Sequence, residues 1–194
     1  MNQKLIAVGV LNILEGLGAD IKHPDFKETP RRVANMYREV LSPPRVKWAK
    51  FPHNGYNEMI VCNAHHVWGF CPHHLLPVEM HVAVGYLPKS NGYVPGLSKV
   101  PRVIETKARR LVLQERVTVD IVDELMKQCK LLGAGCFIRG RHLCMTMRGV
   151  KTNGVVTTSA LRGVFLEKPE VRAEFFTLVQ GANGNGHNGH HNGG

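Results

Sequence analysis

Val78-Glu79-Met80-His81-Val82-Ala83-Val84-Gly85-Tyr86 alternates large apolar residues with small or polar ones over nine positions. Only an extended chain sorts that pattern onto two faces, so this stretch reads as a strand with one face turned to a core. Working outward, residues from Glu58 are strand-like, and 135–148 and 155–166 read as paired strands. Two helices are expected between them, over about 100–114 and 118–130. The second would be capped by Thr118 and carries Ile121, Val122, Leu125, Met126 and Cys129 at helical spacing. Leu5, Val8, Leu11, Leu14 and Leu17 predict a helix over residues 1–17. Thr29 as cap and Pro30 in the first turn predict another, ended by Pro43-Pro44. Residues 45–57 read as a loop, Pro88 to Gly96 as a turn-rich connection, and Pro169 opens a last helix to about Gln180. The class expected is α+β.

A chain of 194 residues is long enough to bury a core of its own. We divide it into an N-terminal helical region (1–45), a main body (46–180) and a tail (181–194). The tail, built of Gly, Asn and His after Ala182, is expected to be disordered. No apolar run reaches membrane-spanning length and the first residues do not form a secretory signal, so a cytoplasmic protein without a membrane partner is expected. Five cysteines are an odd number without the spacing of a disulfide framework, and Cys62, Cys129 and Cys136 read as buried. The net charge of +10 calls for an anionic partner, either nucleic acid or a phosphorylated metabolite. Aromatic residues make up only 7% and do not interleave with the basic ones, which argues against nucleic acid.

Two clusters carry metal-binding chemistry: Cys71-Pro72-His73-His74 and His142-Leu143-Cys144. Thiols and imidazoles are the ligands zinc prefers. If Cys71, His74, His142 and Cys144 all bind, the site is closed and structural; if only three bind, a fourth position stays open for chemistry. The adjoining His73 favours chemistry, since a structural site has no use for it. A second stretch, Gly96-Leu97-Ser98-Lys99-Val100-Pro101-Arg102, reads as a candidate anion cradle, with a hydroxyl and two cations at a helix start, although Lys and Arg on a helix usually face water. Glu115, among Arg109, Arg110 and Arg116, either pairs with an arginine or accepts two hydrogen bonds from a guanine edge.

Taken together, these segments resemble the GTP cyclohydrolase I family. The resemblance rests on Glu28-Thr-Pro-Arg-Arg-Val-Ala-Asn-Met-Tyr37, Cys71-Pro-His-His-Leu75 and Gly96-Leu-Ser-Lys99. It continues through Gln114-Glu-Arg116, His142-Leu-Cys144, Arg148-Gly-Val150 and Thr157-Thr-Ser159, in family order over roughly residues 28–165. It implies a T-fold, an antiparallel sheet with helices on one face, whose subunits close a barrel in a homodecamer. It also implies zinc-dependent hydrolytic opening of the imidazole ring of GTP, release of formate and rearrangement to 7,8-dihydroneopterin triphosphate.

Residue by residue, the resemblance makes Cys71, His74 and Cys144 the zinc ligands and His73 and His142 acid–base residues. Ser98 lies near the ribose in the rearrangement. Glu115, with Gln114 beside it, anchors the guanine. The same resemblance implies that Lys99, Arg102 and Arg148 bind the triphosphate, with Arg32 contributed by a neighbouring subunit. The chain departs from the family at Pro72, where most members have Glu, and at Asn35, where Lys is common. Two other readings are a zinc-stabilised T-fold binding module without turnover and a relative that stops at a ring-opened formamide. Retention of His73, His142, Ser98 and Glu115 argues against the silent module, which needs only the metal ligands.

Overall fold

A computed structural model describes residues 1–52 and 55–181; the expected disorder of the tail concerns residues beyond Gly181, outside those described. The chain divides into two compact units, Met1–Pro43 and Pro44–Gly194.

In the N-terminal unit, helix α1 (Gln3–Gly16) starts at Asn2, whose side chain accepts from Leu5 N–H. Helix α2 (Thr29–Val40) packs on it, burying Ala34. Gln3 Nε2 donates to Asn35 Oδ1 at 2.9 Å, so the residue that departs from the family pattern joins the two helices. Thr29 is not the expected cap. The residues before it already wind in turns, with Thr29 N–H donating to Phe26 and its hydroxyl turned back to Asp25 O, and Glu28 occupies the cap position in a helical conformation. Pro30 sits in the first turn, where its missing N–H costs nothing.

In the second unit a short strand β1 (Lys50–Pro52) lies within the expected loop. It is followed by β2 (Ile60–Phe70), β3 (Pro77–Pro88) and β4 (Tyr93–Pro95). Helices α3 (Lys99–Ala108) and α4 (Gln114–Gln128) lead to β5 (Leu131–His142), the single turn α5 (Leu143–Thr146) and β6 (Val156–Gly163). A further turn, α6 (Val164–Glu167), and helix α7 (Pro169–Gly181) complete the unit. The main sheet is antiparallel in the order β2-β3-β5-β6, while β1 and β4 pair as a separate ribbon.

The alternation in β3 does what it implies. Met80, Val82, Val84 and Tyr86 are buried on one face, against Val100, Val103, Ile104 and Ala108 of α3 and Val117, Ile121, Val122 and Leu125 of α4. Burial of apolar side chains at about 1.5–3 kcal/mol each makes this layer the main source of cohesion. Cys129 and Cys136 are buried as expected, and Cys62 is only partly so.

Three expectations are corrected. Helices do not keep to one face: Phe165 of α6 and Phe175 of α7 pack on the other, around Ala83. Gly85 makes room for them, since a Cβ there would meet Phe175 Cδ2 at 2.7 Å. Helix α4 starts at Gln114 rather than at Thr118, whose hydroxyl donates to Gln114 O one turn back inside the helix. Helix α3 ends at Ala108, because the next residues leave to pair with the end of β2 through a Phe70–Leu111 bridge. No helix among the described residues is long and apolar enough to cross a membrane.

Candidate active site

The end of β2 is tied to the α3–α4 connection by Phe70 N–H donating to Arg110 O and Val112 N–H donating to Phe70 O. The chain then turns through Cys71-Pro72-His73-His74. Leu75 N–H donates to Cys71 O and Cys71 N–H donates to Leu76 O, closing the turn at both ends. Leu75 adopts φ +54°, a left-handed conformation disfavoured for a side chain of its size. Local strain of that kind is held by the structure around it, here the two bonds that close the turn.

Within the turn, Cys71 Sγ lies 3.8 Å from His73 Nδ1 and 3.7 Å from His74 Nδ1. At the far side, β5 ends at His142 and hands Cys144 to α5. The ligand atoms of Cys71, His74 and Cys144 lie within 4.8 Å of one another. Partial burial pushes the Cys144 thiol above its ordinary range, and the adjacent Cys71 thiol adds to this through a hydrogen bond and its charge. Two thiols with an imidazole beside them are a donor set suited to a thiophilic divalent metal, whose charge favours the thiolate form of its ligands. The fit is therefore good. Arg148 reaches the same place, its Nη1 donating to His74 Nε2 at 2.7 Å.

His142 is directed elsewhere. Its Nε2 lies 2.9 Å from Gln114 Oε1, the first residue of α4. Gln114 is 2% exposed, and its Nε2 donates to Ile138 O, Val156 O and Thr158 Oγ1 at 3.3, 3.1 and 3.0 Å. Two of those acceptors are carbonyls, so the amide can only lie this way round and its oxygen faces His142. His142 must then donate through Nε2, leaving Nδ1 with the lone pair in the neutral ring. Thr158 is itself bonded to Thr118 at 2.7 Å. Gly140 opposes the amide on β5: a Cβ there would meet Gln114 Oε1 at 1.9 Å. The family resemblance put Gln114 beside the substrate; its amide is turned inward. Thr118, Gly140 and Thr158 were missed as members of this network. A lone glycine inside an otherwise regular strand was the available signal, since it often marks a close approach.

Burial lowers the pKa of His142, and the charge of Glu115 partly offsets this. Glu115 is exposed at the start of α4. Ser98, Lys99 and Arg102 gather at the start of α3, with Ser98 at its cap position making no side-chain cap bond. Among the described residues none of these three bonds to the Cys–His cluster. Arg32 is exposed on α2 of the N-terminal unit.

The profile of the family described as GTP cyclohydrolase I matches residues 6–180. A GTP cyclohydrolase 1 from Dehalococcoides mccartyi is 41% identical over 184 residues, covering 92% of this chain and 97% of its own. That of Aquifex aeolicus is 40% identical over 183 residues, covering 93% and 98%. That of Halalkalibacterium halodurans is 38% identical over 186 residues, again covering 93% and 98%. Matches of this extent reach across both units, and the chain belongs to the GTP cyclohydrolase I family, a family of hydrolases.

Proposed function

We propose that the protein opens the imidazole ring of GTP by hydrolysis, releases formate and forms 7,8-dihydroneopterin triphosphate, with zinc held by Cys71, His74 and Cys144. The observation that carries this reading is the convergence of those three ligand atoms within 4.8 Å, beside His73 and with His142 already engaged by Gln114. His142 does not belong to the group whose ligand atoms come within 4.8 Å of one another, which supports the open rather than the closed site. When bound, zinc supplies a water made nucleophilic near neutral pH.

The protein's own side chains do the rest. His73 gives a proton to N7 of the guanine as the ring opens. His142, held through Nε2 by Gln114, exchanges a proton with the substrate through Nδ1, and Gln114 serves as its positioning residue. Glu115 accepts the guanine N1–H and amino group. An adenine would leave that carboxylate without its donors, so discrimination between the bases is strong. Ser98 acts near the ribose in the rearrangement. Lys99, Arg102 and Arg148, with Arg32 from a neighbouring subunit, meet the triphosphate, which accounts for the basic balance of the chain.

We further propose the T-fold and a homodecameric barrel. Within the main sheet β2 and β6 are edge strands, each paired on one side only among the described residues. Such edges are available to extend the sheet into neighbouring subunits. The reading places the enzyme in the cytoplasm, with GTP.

Incubation with GTP tests it, following formate release together with pterin fluorescence after oxidation, with ATP as control. Both products from GTP and neither from ATP are expected. Formate without pterin would mean that the chain stops at a ring-opened product. Neither product, from a zinc-loaded oligomer, would overturn the enzyme reading.

A further inference from the structure

On the sheet face opposite α3 and α4, three side chains converge that the reaction does not use. His66 on β2 and His81 on β3 stand directly across from each other. Glu79, two residues before His81, shares their face. His66 Nε2 lies 3.1 Å from Glu79 Oε1, and His81 Nε2 lies 4.0 Å from the same oxygen. The three ligand atoms all fall within 4.8 Å of one another.

We propose that His66, Glu79 and His81 form a second divalent-metal site, of two-histidine, one-carboxylate type. It would take a borderline ion such as Zn2+, Co2+ or Ni2+ rather than Mg2+ or Ca2+. A tetrahedral ion with ligands at about 2.0–2.1 Å spaces them about 3.3 Å apart. The observed gaps of 3.1 and 4.0 Å need only sub-ångström adjustment of side chains. Two imidazoles turned to a single carboxylate oxygen, on adjacent paired strands, form a pre-organised donor set of the kind such ions select. Trp68 braces it, its ring meeting His66 edge-on at 5.5 Å. His66 and His81 are half exposed, so an ion and its remaining waters have access. Arg141 and Arg139, in register with Glu79 and His81 on β5, are exposed. Their charge weakens cation binding, while their long stems let the guanidinium groups stand off in solvent.

The test starts from full-length protein carrying one zinc per chain, titrated with Co2+ and followed by visible absorption and analysis of bound metal. One further equivalent is expected, with a spectrum free of thiolate-to-cobalt charge transfer. It should disappear in the His66→Ala, His81→Ala double variant, which keeps the first zinc. In Glu79→Gln it should weaken by more than about tenfold, since even outer-shell changes at metal sites cost that much. His187, His190 and His191 are present in every variant, so metal they hold drops out of the difference. If the double variant fails to fold, Glu79→Gln carries the comparison. Equal further uptake with and without these side chains, no further uptake by either, or cobalt bound to thiolate would each overturn the proposal.

Discussion

Replacing Gln114 by methionine keeps the length of the side chain and removes its amide. Its Nε2 has three acceptors at 3.0–3.3 Å and its Oε1 has His142 Nε2 at 2.9 Å. Two amide protons and one amide oxygen therefore make three satisfied interactions in the interior. At about 1 kcal/mol for each bond lost, the variant should be less stable by about 3 kcal/mol. For a chain of this size that lowers Tm by roughly 6–12 °C. Its effect on turnover should fall on kcat. His142 loses the bond that fixes its ring and its protonated nitrogen, and a displaced acid–base group costs on the order of 100-fold. KM for GTP should stay close to that of the parent, because the amide is buried and fully engaged by the sheet and His142. Steady-state kinetics on zinc-replete protein below its Tm, with a thermal melt alongside, measures both. A KM raised tenfold at unchanged kcat would mean that Gln114 meets the substrate, and an unchanged Tm would mean that the interior network is not formed.

Three other outcomes follow from the structure. Gly85→Ala drives a methyl group into Phe175 at 2.7 Å, and overpacking of this kind should lower stability by about 1–3 kcal/mol in urea titrations without touching the cluster. Burial holds the pKa of His65 below its ordinary value, the charge of Glu105 opposing this. The unfolded chain thus takes up a proton at His65 first, so stability is full above about pH 6.5 and is lost as pH falls through the lower folded value. His65→Gln should show a flatter urea midpoint between pH 7.5 and 5 than the parent. Cys144→Ser should lose the bound metal and, with it, formate release. Its melt in the presence of a chelator should match that of the chelated parent, and a variant that retained full metal would contradict the ligand assignment.

The parts of this fold legible in the sequence are those where one physical rule acts locally. Strand β3 is an example: Val78 to Tyr86 alternates because one face meets helices α3 and α4. The opposite face was misread, since the small residues Ala83 and Gly85 look like a solvated side but receive the rings of Phe165 and Phe175. Thr118 was misread because a threonine ahead of an apolar run looks like a cap. Its hydroxyl does bond a backbone group, but the carbonyl four residues back within the helix. The β1–β4 ribbon has three residues in each strand, too few for any periodicity to register. At the site, metal-ligand types at short spacing announced Cys71, His74, His142 and Cys144 as candidates, and only the family resemblance set His142 apart. The network of Gln114, Gly140 and Thr158 depends on contacts between residues 26–44 positions apart, and spacing alone does not report those.

The role of His73 is decided by comparing the parent protein with His73→Ala, both loaded with zinc and supplied with GTP. Formate and pterin would be measured in parallel with bound metal. One retained zinc per chain and the loss of both products together are expected, because His73 lies 3.8 Å from Cys71 without belonging to the group of three ligand atoms. Formate released at the parent rate by a zinc-bearing His73→Ala protein would contradict that role.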